Sequence, residues 1–473
     1  MLTTMWTAVL SAMVTAADGP VAMDLFRGGL RHSLIAVFIE LHKKMKQAFP
    51  NYQLKSGWNA LLPDRQAQPA LQGKQVADVV VIGAGFTGLA CARRWQELAP
   101  NARVVVIDAS EIGEGNPGRN SGFLLEIALA EDANPANMQR MLTCNSLTQT
   151  AMQSIVKDVE ASGAAVDLKR VGTYRAAASS AGLKSLSNYK QFLEGAGLPY
   201  RSLDQAQLRA ELGTDFYQAG LYSPHCYLAQ PAAVIRAIYS QLPDSISVFE
   251  NTPALKLSKT GDQWTVTTDQ GEISCSKLVL ANNSFARELG VSRSRMAAVY
   301  TYAGLTPRLD QDVLDSLGSV TNWGLLPSHR LGSTLRRTAD GRLLVRSAHS
   351  YEGELATSKV TALLQDRLWR RFPSLKGHDF EHVWGGAVGI TFNSAPVWGE
   401  QQPGLFISGG CNGGGTVKGT LLGKLLAESA LGHSVPDVAG LFGSPSWMPP
   451  EPLRRIGFHA NAALESWQGR REL

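Results

Sequence analysis

Cysteine is scarce in this chain of 473 residues, which has five cysteines and no pair with the Cys-x-x-Cys spacing. The five positions are Cys91, Cys144, Cys226, Cys275 and Cys411. An odd and scattered set argues against a disulfide framework, a zinc site and a thiol redox couple. Free thiols fit a reducing compartment best, so we expect a cytoplasmic protein without a bound metal.

Long apolar runs and blocks of one charge are also missing. No apolar run reaches the roughly 18 residues that a membrane-spanning helix needs. Lysine and arginine together number 45 against 40 for aspartate and glutamate, and the cations are scattered, so we expect no nucleic-acid partner. The hydrophobic share of 44% and the charged share of 18% are ordinary for a globular protein. The length predicts two intertwined domains.

The N-terminal residues lack a complete secretion signal. Residues 1–19 are apolar, but no lysine or arginine precedes Arg27, so the charged start of a signal peptide is absent. Residues 27–48 could form a basic amphipathic helix, and two interpretations stay open: attachment to a membrane surface, or an extension without a partner. We favour the second and treat residues 1–55 as an N-terminal extension. Residues 61–75 have the composition of a linker.

Residues 78–107 carry the pattern of a β-α-β unit. Residues 78–82 (DVVVI) and 103–107 (RVVVI) are β-branched apolar runs, as expected for strands buried on both faces. Residues 86–99, between them, have the pattern of a helix.

A glycine-rich turn, GAGFTG, joins the first of these strands to the helix. Its first glycine allows a tight turn, its second lets the backbone approach a pyrophosphate, and its third lets the helix pack close to the strand. Asp108 closes the second strand 20 residues after Gly88, the spacing expected for a carboxylate on an adenosine ribose. The pattern predicts a dinucleotide site but fits NAD and FAD equally. Its candidate residues are Gly83, Gly85, Phe86, Thr87, Gly88, Asp108 and Ala109.

Two later segments favour a flavin. In residues 118–122 (GRNSG), Arg119 can offset phosphate charge, and Asn120 and Ser121 offer hydrogen-bond donors. In residues 409–416, glycines allow close approach to a flat ligand, and a helix beginning at Thr416 would favour negative charge on a reduced ring. The candidate residues of that second segment are Gly413, Gly414, Gly415 and Thr416.

The sequence patterns in the rest of the chain predict both helices and strands. These are a helix at 183–196, strands at 264–268 and 272–280, a hairpin at 333–347 turning at Asp340–Gly341, a strand at 405–408, a helix at 416–431 and a tail broken up by prolines.

The motifs together resemble a known family. The segments ADVVVIGAGFTGLA, VVVIDAS, GRNSGF, HVWGGAVGITFNSAPVWG and GLFISGGCNGGGTVKGTLLGKLLAE are similar to those of D-amino-acid-oxidase-type FAD-dependent oxidoreductases. SGWNALLP at 56–63 and PPEPLRRIG at 449–457 are most similar to the γ-glutamylputrescine oxidase branch. The resemblance covers residues 56–473.

The resemblance implies an α/β fold: a glutathione-reductase-like, FAD-binding Rossmann domain with an inserted sheet-based substrate domain. The FAD domain would comprise residues 76–150, 225–290 and 378–433, the substrate domain residues 151–224 and 291–377, and residues 434–473 a C-terminal tail. It also implies that the backbone of Ala254 contacts adenine and that Asn120 and Ser121 approach the flavin ring.

Two departures from the family pattern matter. Some relatives attach flavin to a cysteine in the segment corresponding to 384–391, which has none here, so we expect non-covalent FAD. Others hold a substrate carboxylate with an arginine near residues 391–395, also absent here. The hairpin offers Arg336, Arg346 and His349 instead, and we select Arg346 and His349 as the catalytic candidates.

The expected reaction is oxidation of a C–N bond in a small amine or amino acid. Hydride would pass to flavin N5, the imine would hydrolyse, and oxygen or a quinone would take the electrons. Two alternatives stay open: an NAD-dependent dehydrogenase, and a non-catalytic flavoprotein scaffold.

Overall fold

The computed structural model of the protein describes residues 48–127 and 135–473. Residues 48–473 form one compact unit. The amphipathic segment predicted at 27–48 lies, except for Ala48, outside the described residues.

Two large β-sheets organise the described part of the chain. The first contains β1 (Gly73–Ile82), β2 (Val104–Ile107), β8 (Ser247–Phe249), β9 (Lys256–Thr260), β10 (Gln263–Thr267), β11 (Gly271–Leu280), β17 (Val397–Gln402) and β18 (Leu405–Gly409). The second contains β4 (Thr173–Ala177), β5 (Arg201–Asp204), β6 (Ala219–Ser223), β12 (Ala297–Leu305), β13 (Trp323–Pro327), β14 (Thr334–Arg337), β15 (Leu343–Tyr351) and β16 (His382–Ile390). A short ribbon pairs β3 (Phe123–Leu125) with β7 (Cys226–Leu228).

Helices flank these sheets. They are α1 (Gly57–Ala60), α2 (Phe86–Leu98), α3 (Pro135–Ser162), α4 (Ser180–Gly195), α5 (Gln205–Leu212), α6 (Pro231–Ser240), α7 (Gln311–Asp315), α8 (Thr357–Arg371), α9 (Val417–Ala430), α10 (Val438–Phe442) and α11 (Leu453–Gln468).

The first sheet is mostly parallel and is packed on both faces, as its sequence predicts. Strands run in the order β17-β18-β11-β1-β2-β8, and β18, β11, β1, β2 and β8 are parallel. Alternate residues of β1 enter different cores: Val79 and Val81 pack in the cluster with α2 and α9, whereas Val80 and Ile82 pack in the cluster with β10 and β11. Both faces are therefore apolar, which is why the strand sequences are unbroken apolar runs.

The second sheet is largely antiparallel, in the order β16-β12-β15-β14-β13-β4-β6-β5. Its face of Leu335 and Val345 packs against Val360 and Leu364 of α8. Since side chains alternate along a strand, Thr334 and Arg346 point the other way. The hairpin predicted at 333–347 is confirmed as β14 and β15, with its turn at Asp340–Gly341.

Several predicted boundaries change. The linker ends before Gly73, where β1 begins, and the tail is not merely broken by prolines, since it contains the 16-residue helix α11. In the tail, Glu472 is fully buried and accepts hydrogen bonds from the backbone N–H groups of Ala178 (2.8 Å) and Ser179 (2.9 Å). Pro452 directly precedes α11 as its N-cap, where a proline is compatible with a helix start, so the proline count was misleading.

The domain division stays a prediction, with two adjustments indicated by the sheets. Strand β16 pairs with β12 in the second sheet, although the piece 378–433 was expected in the FAD domain. The boundary at 150 falls within α3. The pairing of β16 with a strand distant in sequence decides the first point, and a local pattern does not reveal it.

Candidate active site

A cleft between the two sheets brings most of the candidate residues together. Its walls include, from the sequence predictions, Gly83, Gly85, Phe86, Thr87, Asp108, Ala109, Arg119, Asn120, Ser121, Ala254, Arg346, Gly413, Gly414, Gly415 and Thr416. Gly88 lies behind the wall, and His349 does not line the cleft.

The glycine turn after β1 is shaped by backbone contact. A Cβ on Gly88 would lie 1.8 Å from the carbonyl oxygen of Gly83, so only glycine lets α2 start this close to the turn. Gly83 has φ of +107°, a conformation that side chains disfavour. Gly85 is the N-cap of α2 and makes no side-chain capping bond, so the first N–H groups of the helix are left for a ligand.

A second helix start faces the same cleft. Helix α9 follows Thr416, whose side chain makes no capping bond, and Thr416 lines the cleft. The two helices touch where α9 has glycine, because a Cβ on Gly423 would lie 2.2 Å from the carbonyl oxygen of Thr87. This crossing holds two uncapped helix N-termini on one cleft, and each favours negative charge.

Asp108 ties the first turn to the end of β2. Its carboxylate accepts hydrogen bonds from the N–H groups of Ala84 (2.7 Å) and Ser110 (3.0 Å). Desolvation raises the pKa of the Asp108 carboxyl, and these hydrogen bonds oppose that shift. Its contact with an adenosine ribose stays a prediction, as does the adenine contact of buried Ala254.

Arg119, which was predicted to offset phosphate charge, hydrogen-bonds to the protein itself. Its Nε donates to the carbonyl oxygen of Glu114 (2.7 Å) and its Nη1 to that of Gly385 on β16 (3.0 Å). The guanidinium carbon lies 3.7 Å from the ring centre of Tyr52, and desolvation lowers the Arg119 pKa. The side chain therefore joins the 118–122 loop to the second sheet, and its contact with a cofactor phosphate stays a prediction.

Two tryptophans fix the rest of that loop. Trp384 Nε1 donates to the carbonyl oxygen of Arg119 (3.0 Å), and Trp58 Nε1 to that of Asn120 (2.8 Å). Asn120 spends its side chain on the loop itself, donating to Pro117 and accepting from Gly122. Its approach to the flavin ring stays a prediction.

The C-terminal glycine loop is held by asparagines that the sequence reasoning missed. Asn283 Oδ1 accepts from the N–H of Gly410 (2.9 Å), and Asn412 Oδ1 accepts from that of Thr391 (2.9 Å). Both residues have positive φ, which asparagine tolerates better than most residues. Asn412 lies inside the glycine motif, so the sequence pattern could have indicated its role in this loop. Nothing near Asn283 in sequence indicates its role.

Arg346 projects from β15 into the cleft. Its Nε donates to Thr301 Oγ1 (3.2 Å), and its cross-strand neighbour Thr334 also lines the cleft. Desolvation lowers the pKa of Arg346, although a guanidinium stays charged at any ordinary pH. No carboxylate within residues 48–127 and 135–473 pairs with it.

The other two hairpin candidates lie elsewhere. Arg336 is 1% exposed, contacts the carbonyl oxygen of Ala229 and stacks over Trp58 at 5.1 Å, so it supports the protein interior. His349 packs edge-on against Phe458 of α11 (5.7 Å), and burial lowers its pKa. The geometry therefore does not support His349 as a base at the cleft. The backbone of β15 is irregular here, with Ala348 at φ +58°, which regular alternation does not anticipate.

Residues 48–52, assigned to the extension, belong to the folded body. Ala48, Phe49 and Pro50 line the cleft. Tyr52 accepts a hydrogen bond from the N–H of Ala387 (3.1 Å) on β16, and burial raises the pKa of its hydroxyl.

The cleft suits FAD on three grounds. Two uncapped helix starts supply donors for phosphate oxygens, the glycine turn leaves no side chain in their way, and the adjacent walls are apolar enough for a flat ring system. Of the five cysteines, only Cys411 lines the cleft. No cluster of metal-ligating side chains occurs in the portion of the chain described.

Comparisons with known proteins agree with this geometry. The profile of the FAD dependent oxidoreductase family, DAO, matches residues 78–429. The chain therefore belongs to the DAO family of FAD-dependent oxidoreductases, and the predicted fold class, family and cofactor are confirmed.

Curated relatives share about a quarter of the sequence. An oxidoreductase, OrdL, of Rhizobium meliloti is 26% identical over 80% of this chain and 89% of its own. The γ-glutamylputrescine oxidoreductase of Escherichia coli is 27% identical over 76% of this chain and 84% of its own. Among solved structures, glycine oxidase from Geobacillus kaustophilus has a TM-score of 0.67 at 16% identity, covering 78% of this chain and 99% of its own. That likeness shows the fold.

Proposed function

We propose that the protein oxidises the C–N bond of a small amine or amino acid that carries an anionic group. The observation that carries this proposal is Arg346, a desolvated guanidinium in the cleft wall that is hydrogen-bonded to Thr301 and has no carboxylate partner in the described chain. A partly buried cation of this kind, without a carboxylate partner, is satisfied by an anionic ligand. Relatives named for γ-glutamylputrescine and glycine support the amine and amino-acid class.

The chain's own groups would bind and orient the reactants. The starts of α2 and α9 would hold the negative charge of the cofactor, and Asp108 and Ala254 its adenosine half. Arg346 would hold the substrate anion, with Thr301 fixing the direction of its guanidinium. The substrate carbon next to nitrogen would lose a hydride and the nitrogen a proton, and water would then hydrolyse the imine to a carbonyl compound and ammonia or an amine. FAD, when bound, supplies the two-electron acceptor at N5.

The electron acceptor of the second half-reaction is oxygen or a quinone, and the proposal accommodates both. All five cysteines are free, which supports a reducing, cytoplasmic location. Because the chain belongs to an FAD-dependent family, an NAD-dependent dehydrogenase is no longer an alternative. A non-catalytic flavoprotein remains the rival that experiment must exclude.

Anaerobic titration of the purified yellow protein with a panel of amines and amino acids tests the proposal. We expect at least one compound with an anionic group to bleach the flavin band, and its uncharged analogue to do so poorly. Failure of the whole panel to reduce the flavin would favour the non-catalytic alternative.

We also propose that FAD is held without a covalent bond, because residues 384–391 contain no cysteine. Acid precipitation should release all the yellow colour into the supernatant. Colour retained in the pellet of the wild type but not of Cys411→Ser would overturn this and identify Cys411 as the attachment point, since it is the cysteine on the cleft.

A further inference from the structure

Helix α11 carries an apolar stripe that faces outward. Leu453, Ile456, Leu464 and Trp467 are 45%, 48%, 39% and 69% exposed, and Ala460 between them is also exposed. Their spacing of three and four residues places them along one side of the helix. Single exposed apolar residues are ordinary, but a row on one helix is typical of a contact surface.

The opposite side of α11 is attached to the body of the protein. Phe458 packs against Tyr351 with ring centres 5.0 Å apart. Arg454 donates hydrogen bonds to the carbonyl oxygens of Met296 (3.0 Å) and Pro449 (2.9 Å). The helix is thus already formed and oriented, so docking through the stripe would cost little ordering entropy.

The charge around the stripe has one sign. Arg470 and Arg471, just after the helix, are exposed, whereas Arg455 lies over the Tyr351 ring at 5.7 Å on the attached side. The two carboxylates of this segment are turned inward, Glu465 being partly buried and Glu472 fully buried. The exposed surface of residues 452–471 therefore combines apolar side chains with cations and no exposed carboxylate.

We propose that α11 docks on the surface of an anionic phospholipid bilayer. A helix with leucine, isoleucine and tryptophan on one side and arginines beside them lies in the interface between headgroups and acyl chains, and arginines attract anionic lipids. Trp467 is the residue type enriched at that depth. No described helix is long and apolar enough to cross a bilayer, so the contact is with one surface.

A second copy of the chain fits this surface less well. A two-fold contact through α11 would place the cations of both copies in one interface, and the exposed surface offers no carboxylate to compensate them. An acidic protein partner would satisfy the cations but gives no reason for an apolar row ending in a tryptophan 69% exposed.

Co-sedimentation of the full-length holoprotein with vesicles tests this inference without any substrate. We expect binding to phosphatidylcholine vesicles containing phosphatidylglycerol, weaker binding to phosphatidylcholine alone, and a loss at high salt. The double variant Ile456→Glu/Trp467→Glu should lower the partition coefficient at least about tenfold, since burial of both side chains is lost. Val76→Glu, which changes an equally exposed apolar residue (59%) on β1, is the matched control.

Each outcome of these measurements either supports or overturns the proposal that α11 docks on a bilayer. Retention of FAD and of the circular dichroism spectrum shows that the variants are folded, and Arg470→Glu/Arg471→Glu should remove the preference for phosphatidylglycerol by itself. The inference is overturned if the wild type does not bind vesicles, or if the α11 variants bind as well as Val76→Glu. It is also overturned if the variants change only the oligomeric state or only binding to another protein.

Discussion

The two walls of the cleft are built in different ways. The wall of the first sheet presents backbone: the glycine turn at Gly83, the helix start at Gly85 and the loop around Gly413. The wall of the second sheet presents individual side chains, chiefly Thr301 and Arg346. A backbone wall suits a constant ligand such as a cofactor, whereas a side-chain wall can change with the substrate while the fold is kept.

The largest effect is expected from filling the backbone wall. In Gly88→Ala the new methyl group would meet the Gly83 carbonyl oxygen at 1.8 Å, and backbone on both sides leaves no easy relief. We expect loss of FAD and destabilisation by about 3 kcal/mol. Flavin absorbance per protein and urea unfolding measure the two effects.

Gly353→Ala is the control for that experiment, because a Cβ there meets no atom within 4 Å. It should keep the cofactor and nearly all the stability. Normal flavin content in Gly88→Ala would mean that the close approach of α2 to the turn is not needed for binding.

A change in the side-chain wall should spare the cofactor and impair the reaction. Arg346→Ala is expected to keep FAD and to lower the rate of flavin reduction by roughly 10- to 150-fold. This range corresponds to the loss of a charge-assisted hydrogen bond, which contributes about 1.5–3 kcal/mol. Stopped-flow kinetics of the two half-reactions gives the measurement. Exposed Arg308→Ala, in the loop after β12, is the control. A loss confined to reoxidation would assign Arg346 to the electron acceptor, and unchanged rates would remove it from the mechanism.

Tyr52 connects the two walls, and its removal should have a moderate effect. Tyr52→Phe removes the hydroxyl that contacts Asn116 Oδ1 and accepts from the Ala387 N–H, but Asn116 Oδ1 also accepts from that N–H (3.0 Å). The expected cost is therefore about 1 kcal/mol of stability, with some loss of FAD affinity. Truncation before Ala48 should be tolerated, whereas truncation to begin at Gln53 should weaken FAD binding. Equal flavin content in the two truncated proteins would show that Tyr52 is dispensable.

The smallest effect is expected at His349. Its folded-state pKa lies below the usual value because burial disfavours the charged ring, so the unfolded chain binds the proton more readily. The stabilising contribution is present above about pH 6.5 and is lost as the pH falls further. His349→Gln should therefore flatten the acid side of the stability profile by less than about 1 kcal/mol, relative to exposed His433→Gln. A large fall in turnover would restore His349 as a catalytic candidate.

Sequence reasoning succeeded where function depends on adjacent residues. The β-α-β unit, the glycine turn and the start of α9 are local, so strand pattern, glycine spacing and helix signals predicted them. The second wall depends on register between strands far apart in sequence. For example, Arg346 lies opposite Thr334 on one side and Ala303 on the other. The positions of Arg346 and His349 on the hairpin were predictable from the sequence. The face of the sheet on which the His349 side chain lies was not, because the backbone is irregular at Ala348, which has positive φ.

The role of Arg119 shows a second limit. An arginine beside a cofactor loop is a reasonable phosphate partner by residue type. Only the fold brings the Gly385 carbonyl, 266 residues later, within reach of its Nη1. Residue type indicated the charge correctly and left its partner undetermined.

The arrangement of the first sheet constrains how the protein can be made. Strand β1 lies between β2 and β11, and β11 in turn needs β18, which ends at Gly409. On the ribosome, the amino-terminal strands must therefore wait for almost the whole chain before their last parallel neighbour emerges. Unpaired strand edges in such a nascent chain invite aggregation, so production of the protein should benefit from slow translation and abundant chaperones.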